Sequence, residues 1–372
     1  MVRTAISSRS RGGVGRLFIV GFDGVSASPR LRSLLTRLQP AGVILFARNI
    51  VNPQQTHALL KECQACVATP LFLCVDMEGG TVDRLKNAVA PAPSAAEVFA
   101  SRDRRLFRKH GKLIGESCRA LGFNTDFAPV LDLALPASHA VMSSRAVSPD
   151  PRHVIAYARE FLAGLRGTGV LGCGKHFPGL GEAKLDTHHE LPAVNKPLRQ
   201  MWQEDLLPYR TLRRQLPFVM VSHAAYPDVT HERVPASLSG KWITDILRKK
   251  IGYRGLIVSD DLEMGGVLKA APIEQAAVEH IRAGGDLCLI CHQEELIVRA
   301  YEALVKEAER DRKFAERVAE SSARVRAFKR RSPELKRRLP PPSTAKLERL
   351  SRQLWEFSEQ VRLEAIHQEE RA

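Results

Sequence analysis

Eight short apolar runs, each closing on small or polar residues, constrain this chain more than any other feature. They span 17–22, 42–46, 72–77, 124–130, 170–176, 218–223, 256–261 and 286–291. Several are continuous rather than alternating, the pattern of parallel strands covered on both faces. Amphipathic helical patterns over 31–38, 55–67, 106–121, 153–165 and 237–250 fall between them. Eight strand-helix units in one chain predict an α/β architecture, a (β/α)8 TIM barrel.

After Cys291 the pattern turns helical and highly charged, breaks at Pro340-Pro341-Pro342, and resumes as an amphipathic stretch over 344–368. No helix interior accommodates three prolines. The expectation is a single barrel over 1–335, closed by an eighth barrel helix, then a proline-containing linker and a terminal helix over 336–372. That last helix packs on the barrel or on a second copy.

The formal charge of +15 is concentrated in the Arg-rich start, in Lys329-Arg330-Arg331 and in Lys336-Arg337-Arg338. A basic excess suits nucleic acid, an anionic membrane surface or an acidic substrate. Acids interleave with the arginines over 302–320 and no RNA-binding motif accompanies them, so a solvated helix face is expected and no nucleic-acid partner. Seven cysteines, an odd number, give no disulfide framework and fit a reducing cytoplasm. Cys63-x-x-Cys66 and Cys288-x-x-Cys291 have zinc-knuckle spacing but fall on a helix pattern and a strand pattern, so no metal or other cofactor is expected. The only apolar run before Asp23 is too short for a signal segment or a membrane span.

Barrel enzymes build their sites at the C-terminal ends of the strands. There this chain places Asp76, Asp126, Lys175 with His176, His223, and Asp260 with Asp261. Charges at buried strand ends are costly unless paired or used; ion pairs around the mouth are the purely structural alternative. Between Lys175 and His188 the sequence reads KHFPGLGEAKLDTH. Asp186 beside His188 forms a dyad in which the carboxylate fixes the imidazole and favours its charged form, suiting it to proton donation near neutral pH; a turn-capping histidine is the plainer reading. Gly179 and Gly181 give either freedom for a closing loop or an ordinary tight turn. Two acid/base groups on one rim suit glycoside hydrolysis, with Asp260, at the end of an apolar strand, the candidate nucleophile.

These residues resemble glycoside hydrolase family 3, in particular its single-domain bacterial β-N-acetylglucosaminidases of cell-wall recycling, over about the first 290 residues. Ile246-Leu247-Arg248 and 255–260 are similar to that family's nucleophile signature, which implies Asp260 as nucleophile. Lys175-His176-Phe177-Pro178-Gly179 with Asp186-Thr187-His188 resembles the subfamily hallmark, implying His188 as general acid/base and Asp186 as its partner. By the same resemblance Asp76 and Arg84 in DMEGGTVDR, Arg145 in SSRAVSPDP, Lys175 and His176 bind sugar hydroxyls. Glu78-Gly79-Gly80 reads as a turn. Leu180, Thr81 and Glu263 depart from the family pattern.

The reading is a retaining exo-glycosidase acting on a saccharide or muropeptide with a terminal β-linked N-acetylglucosamine. A glucosidase or xylosidase of the same fold, a glycoside phosphorylase, and a catalytically silent sugar-binding barrel are the rivals.

Overall fold

The computed structural model describes residues 13–183, 191–337 and 340–371. Each of the eight apolar runs coincides with a strand, the fifth ending one residue beyond its run: β1 Phe18–Val20, β2 Gly42–Leu45, β3 Phe72–Val75, β4 Thr125–Asp126, β5 Cys173–Phe177, β6 Phe218–Val221, β7 Leu256–Asp261 and β8 Leu287–Ile290. Their order is β4-β3-β2-β1-β8-β7-β6-β5, every neighbouring pair parallel. The circle closes between the two ends of that order. Asp126 N donates to Leu171 O at 2.8 Å, Cys173 N to Ala128 O at 2.8 Å and Leu131 N to Lys175 O at 2.6 Å.

The connecting helices are α1 Pro29–Leu38, α2 Pro53–Ala65, α3 Arg104–Leu121, α4 Pro151–Thr168, α5 Leu207–Leu212, the π-type α6 Lys241–Lys250, α7 Ile273–Arg282 and α8 Glu294–Arg310. Their starts are written in the sequence: Ser28, Asn52, Asp103 and Asp150 accept backbone N–H bonds at the first turns of α1 to α4. Gly122 and Gly169, both at positive φ, end α3 and α4. Alternate strand residues face two layers. Ile19, Ile44, Phe72, Cys74, Cys173, Phe218, Met220, Val258 and Leu289 fill the barrel, while Val20, Val43 and Val75 pack outward with the helices. Each such apolar side chain stabilises the fold by roughly 1.5–3 kcal/mol.

The tail departs from expectation, because two helices rather than one lie between β8 and the proline stretch. Asp311 interrupts the charged pattern by accepting from Lys313 N and Phe314 N at 2.9 and 3.2 Å, which starts α9 Arg312–Arg331. This helix seals the N-terminal end of the barrel. Val325 joins the interior cluster, the Phe328 ring lies 6.0 and 5.5 Å from those of Phe72 and Phe218, and Lys329 Nζ donates to Ala41 O at 2.6 Å. Buried Asp286, just before β8, anchors it through Arg324 and also binds Arg248 of α6. Beyond the prolines, α10 Thr344–Glu369 lies on the barrel rather than apart from it, burying Leu350, Leu354, Phe357 and Val361 against a core that includes Leu113 and Ile114 of α3. Among the described residues no helix is long and apolar enough to cross a membrane.

Candidate active site

A pocket of about 190 Å³ opens at the C-terminal ends of the strands. Asp76, Arg84, Arg145, Lys175, His176 and Asp260 all line it, although they are scattered over 185 positions of sequence. Asp186 and His188 lie outside the described residues.

Past Asp76, at the end of β3, the chain folds into a two-stranded hairpin, Met77–Gly79 against Val82–Asp83. Gly79 and Gly80 both have positive φ, and a Cβ on Gly79 would meet Pro93 O at 2.1 Å, so the turn demands glycine there. The hairpin buries Glu78, which sequence reasoning passed over as part of a turn. Arg145 grips its carboxylate with Nε and Nη2, both at 2.8 Å, and Lys175 Nζ reaches it at 2.6 Å. Lys175 also contacts Asp76 Oδ1 at 2.7 Å. Burial pushes the Glu78 carboxyl up, but the two cations outweigh it and hold it well below the usual carboxylate range. Burial likewise disfavours the charge on Lys175, yet Asp76 and Glu78 hold its ammonium above the ordinary lysine value. Arg84 follows the hairpin into the pocket. Its Nε is buried and has no hydrogen-bond partner among the described residues, leaving a donor for a ligand.

His176 is the second fixed group. Asp132, 1 % exposed, accepts from the His176 ring at Nδ1 (2.7 Å) and from the backbone N–H groups of His176 and Leu180 (3.1 and 2.7 Å). A carboxylate only accepts, so Nδ1 carries the proton, which orients the imidazole at the pocket wall. Asp132 was missed in the sequence; its one signal is a lone acid within the apolar stretch 127–135.

β7 ends in Asp260 and Asp261, both half-buried and both lining the pocket. Asp261 N donates to Asp260 Oδ1 at 2.9 Å. His223, at the end of β6, belongs to the framework rather than to the pocket wall. Its Nε2 donates to the Asp261 carbonyl at 2.9 Å and its Nδ1 accepts from Ser237 Oγ at 2.7 Å, with burial favouring the neutral ring. Asp126 is also framework: fully buried, it accepts from Met77 N at 2.9 Å and fixes the root of the hairpin, burial raising its carboxyl well above the ordinary range.

The departures from the family pattern have local explanations. Glu263 accepts from His292 N and from Gln293 N, the residue capping α8, so its charge sits at a helix N-terminus. Leu180 lines the pocket and packs in the apolar layer with Leu133 and Phe177. Thr81 is exposed at the hairpin turn. Gly179, at φ +135°, lies against Asp205, as a tight turn requires. The pocket thus combines carboxylates and cations fixed by their mutual ion pairs with an oriented imidazole, a set able to hold a polyhydroxylated ligand by many directed hydrogen bonds beside a carboxylate on a rigid strand.

A model of the glycosyl hydrolase family 3 N-terminal domain matches residues 13–327. A beta-hexosaminidase of Alkalilimnicola ehrlichii is 36% identical over 286 residues, covering 75% of this chain and 81% of that protein. One of Bordetella avium is 39% identical over 263 residues, 68% of this chain and 74% of its own. Among solved structures, a glycoside hydrolase family 3 beta-N-acetylglucosaminidase from Paenibacillus sp. aligns with TM-score 0.87 at 32% identity, over 94% of this chain and 68% of that one. A Beta-N-acetylhexosaminidase from Beutenbergia cavernae aligns with TM-score 0.80 at 27% identity, over 86% and 98%.

Proposed function

The chain belongs to glycoside hydrolase family 3, and on that premise we propose that it is a retaining exo-hydrolase removing terminal non-reducing β-linked N-acetylglucosamine. The observation that carries the reading is the convergence of Asp76, Arg84, Arg145, Lys175, His176 and Asp260 on one pocket at the strand ends. The names of the relatives supply the glycone.

In this mechanism the sugar hydroxyls are held by Asp76, Arg84, Arg145, Lys175 and His176. Protonated His188, oriented by Asp186, gives its proton to the glycosidic oxygen as the bond from that oxygen to the anomeric carbon breaks and Asp260 forms a bond to the same carbon. The aglycone leaves as an alcohol. Neutral His188 then takes a proton from water as the water oxygen attacks the anomeric carbon and displaces Asp260. Two inversions give net retention. The natural substrate is a cell-wall fragment bearing N-acetylglucosamine on an anhydro-N-acetylmuramoyl unit, met in the cytoplasm; the seven free cysteines agree with a reducing compartment.

Chromogenic β-N-acetylglucosaminide, β-glucoside and β-xyloside, assayed with and without phosphate, test the glycone and the transfer to water. Proton NMR of the first-released sugar tests the stereochemistry. Fastest turnover of the N-acetylglucosaminide and a β-anomer as first product are expected. An α-anomer, preference for glucoside, or release dependent on phosphate refutes the reading.

A further inference from the structure

Two cavities share no lining residue with the pocket at the strand C-termini. One, of about 600 Å³, lies on the outer wall where α3, α4 and α10 meet. It is lined by Arg108, Lys112, Arg119, Arg337, Lys346 and Arg349, with Glu116 the one acid among its described lining residues. A second, of about 500 Å³, shares Arg119 and Arg337 with it and adds Lys61 and His57.

Part of this charge is accounted for locally. Arg108 pairs with Glu160 at 2.7 Å and Lys112 with Glu116 at 3.8 Å. Arg119, Arg337, Lys346 and Arg349 have no ion pair among the described residues. Arg119 is the telling member. It is only 6 % exposed, its Nη2 donates to the carbonyl of Arg337 at 3.3 Å, and its Nε is buried without a hydrogen-bond partner. Burial, and then the neighbouring Arg337 charge, disfavour its protonated form, and Glu334 offsets them only in part. A buried guanidinium facing a second one is costly unless something negative completes the arrangement.

Three of these cations lie outside the stretch that matches the family model. Arg337, Lys346 and Arg349 lie beyond residue 327, where the family match stops, so the cavity is assembled by laying the C-terminal extension over the barrel. Planar guanidinium forks match the oxygens of phosphate in pairs, and a volume near 600 Å³ is in the range of small-molecule sites.

We propose that the groove between α3, α4 and α10 is a binding site for a small phosphate-bearing anion, held by Arg119, Arg337, Lys346 and Arg349 and separate from the hydrolytic pocket. It does not depend on the glycosidase reading. The site exists only while α10 is docked, so the ligand stabilises that docking by mass action.

Calorimetric titration of the full chain with pyrophosphate at about 0.15 M sodium chloride tests it, the salt being sufficient to screen diffuse surface attraction. A dissociation constant below about 1 mM is expected, weakened at least about tenfold in R337Q/R349Q, both exposed positions, with turnover of a chromogenic glycoside unchanged. Co-sedimentation with phosphatidylglycerol but not phosphatidylcholine vesicles, lost in the same variant, locates the phosphate on a lipid headgroup instead of a free molecule. Absence of both kinds of binding in the unmodified protein, or their survival in R337Q/R349Q, overturns the proposal.

Discussion

Glu78→Gln is the most informative single change in the pocket. The substitution keeps the shape of the side chain but removes a negative charge that is 5 % exposed and takes three short contacts, two from Arg145 at 2.8 Å and one from Lys175 at 2.6 Å. Removing one partner of a buried ion pair costs about 3–5 kcal/mol, because the other charge is left uncompensated. Asp76 still meets Lys175 at 2.7 Å, so the lower end, about 3 kcal/mol, is expected. With a urea m-value of about 3 kcal/mol per molar, the unfolding midpoint drops by about 1 M. Activity falls further than stability, since Lys175 and Arg145 lose their shared anchor; kcat/KM should drop at least about 100-fold under conditions where the variant is folded. The pH dependence has a defined sign. Glu78 has a depressed folded-state pKa, so its contribution is present above the unfolded carboxylate value near 4.3 and is lost as pH falls toward the folded value. The variant should lack that component of acid lability. A midpoint within about 0.2 M of the unmodified protein together with retained activity would mean that other groups hold the two cations, and the reasoning fails.

Asp260→Ala should abolish turnover, whereas His188→Ala should slow aryl glycosides with good leaving groups much less than natural ones; equal slowing of both classes removes His188 from the proton-donor role. Asp132→Asn should leave the fold within about 2 kcal/mol of the original but lower kcat/KM at least about tenfold by freeing the His176 ring, and unchanged kinetics would dismiss that orientation as irrelevant. Lys329, pushed down to about 7 by burial against the barrel floor, keeps its proton in the unfolded chain up to about 10.4. Between those values the unfolded state binds more protons, so stability should rise with pH by up to about 5 kcal/mol and the rise should vanish in Lys329→Met. A flat profile in the unmodified protein contradicts this.

The barrel was legible because burial on both strand faces leaves continuous apolar runs, and all eight coincide with strands. Asp76, Lys175, His176 and Asp260 were legible for the complementary reason: a charged residue ending such a run stands out. Arg84 and Arg145 came only through resemblance, since cations on loops have no local pattern, and their convergence depends on the hairpin and on Glu78. Glu78 and Asp132 escaped because each acts on another side chain distant in sequence, Glu78 on Arg145 and Lys175, Asp132 on His176. The break between α8 and α9 was hidden for a different reason, the charge periodicity continuing across a capping aspartate. Asp186 and His188 lie outside the described residues.

Helix α10 has a practical meaning for anyone handling this protein. Leu350, Leu354, Phe357 and Val361 are shared with the main core, and Phe357 stands 5.9 Å from the buried His110 ring. Shortening the chain at its proline stretch would strip a lid from an oily seam along α3, leaving a barrel that self-associates on purification.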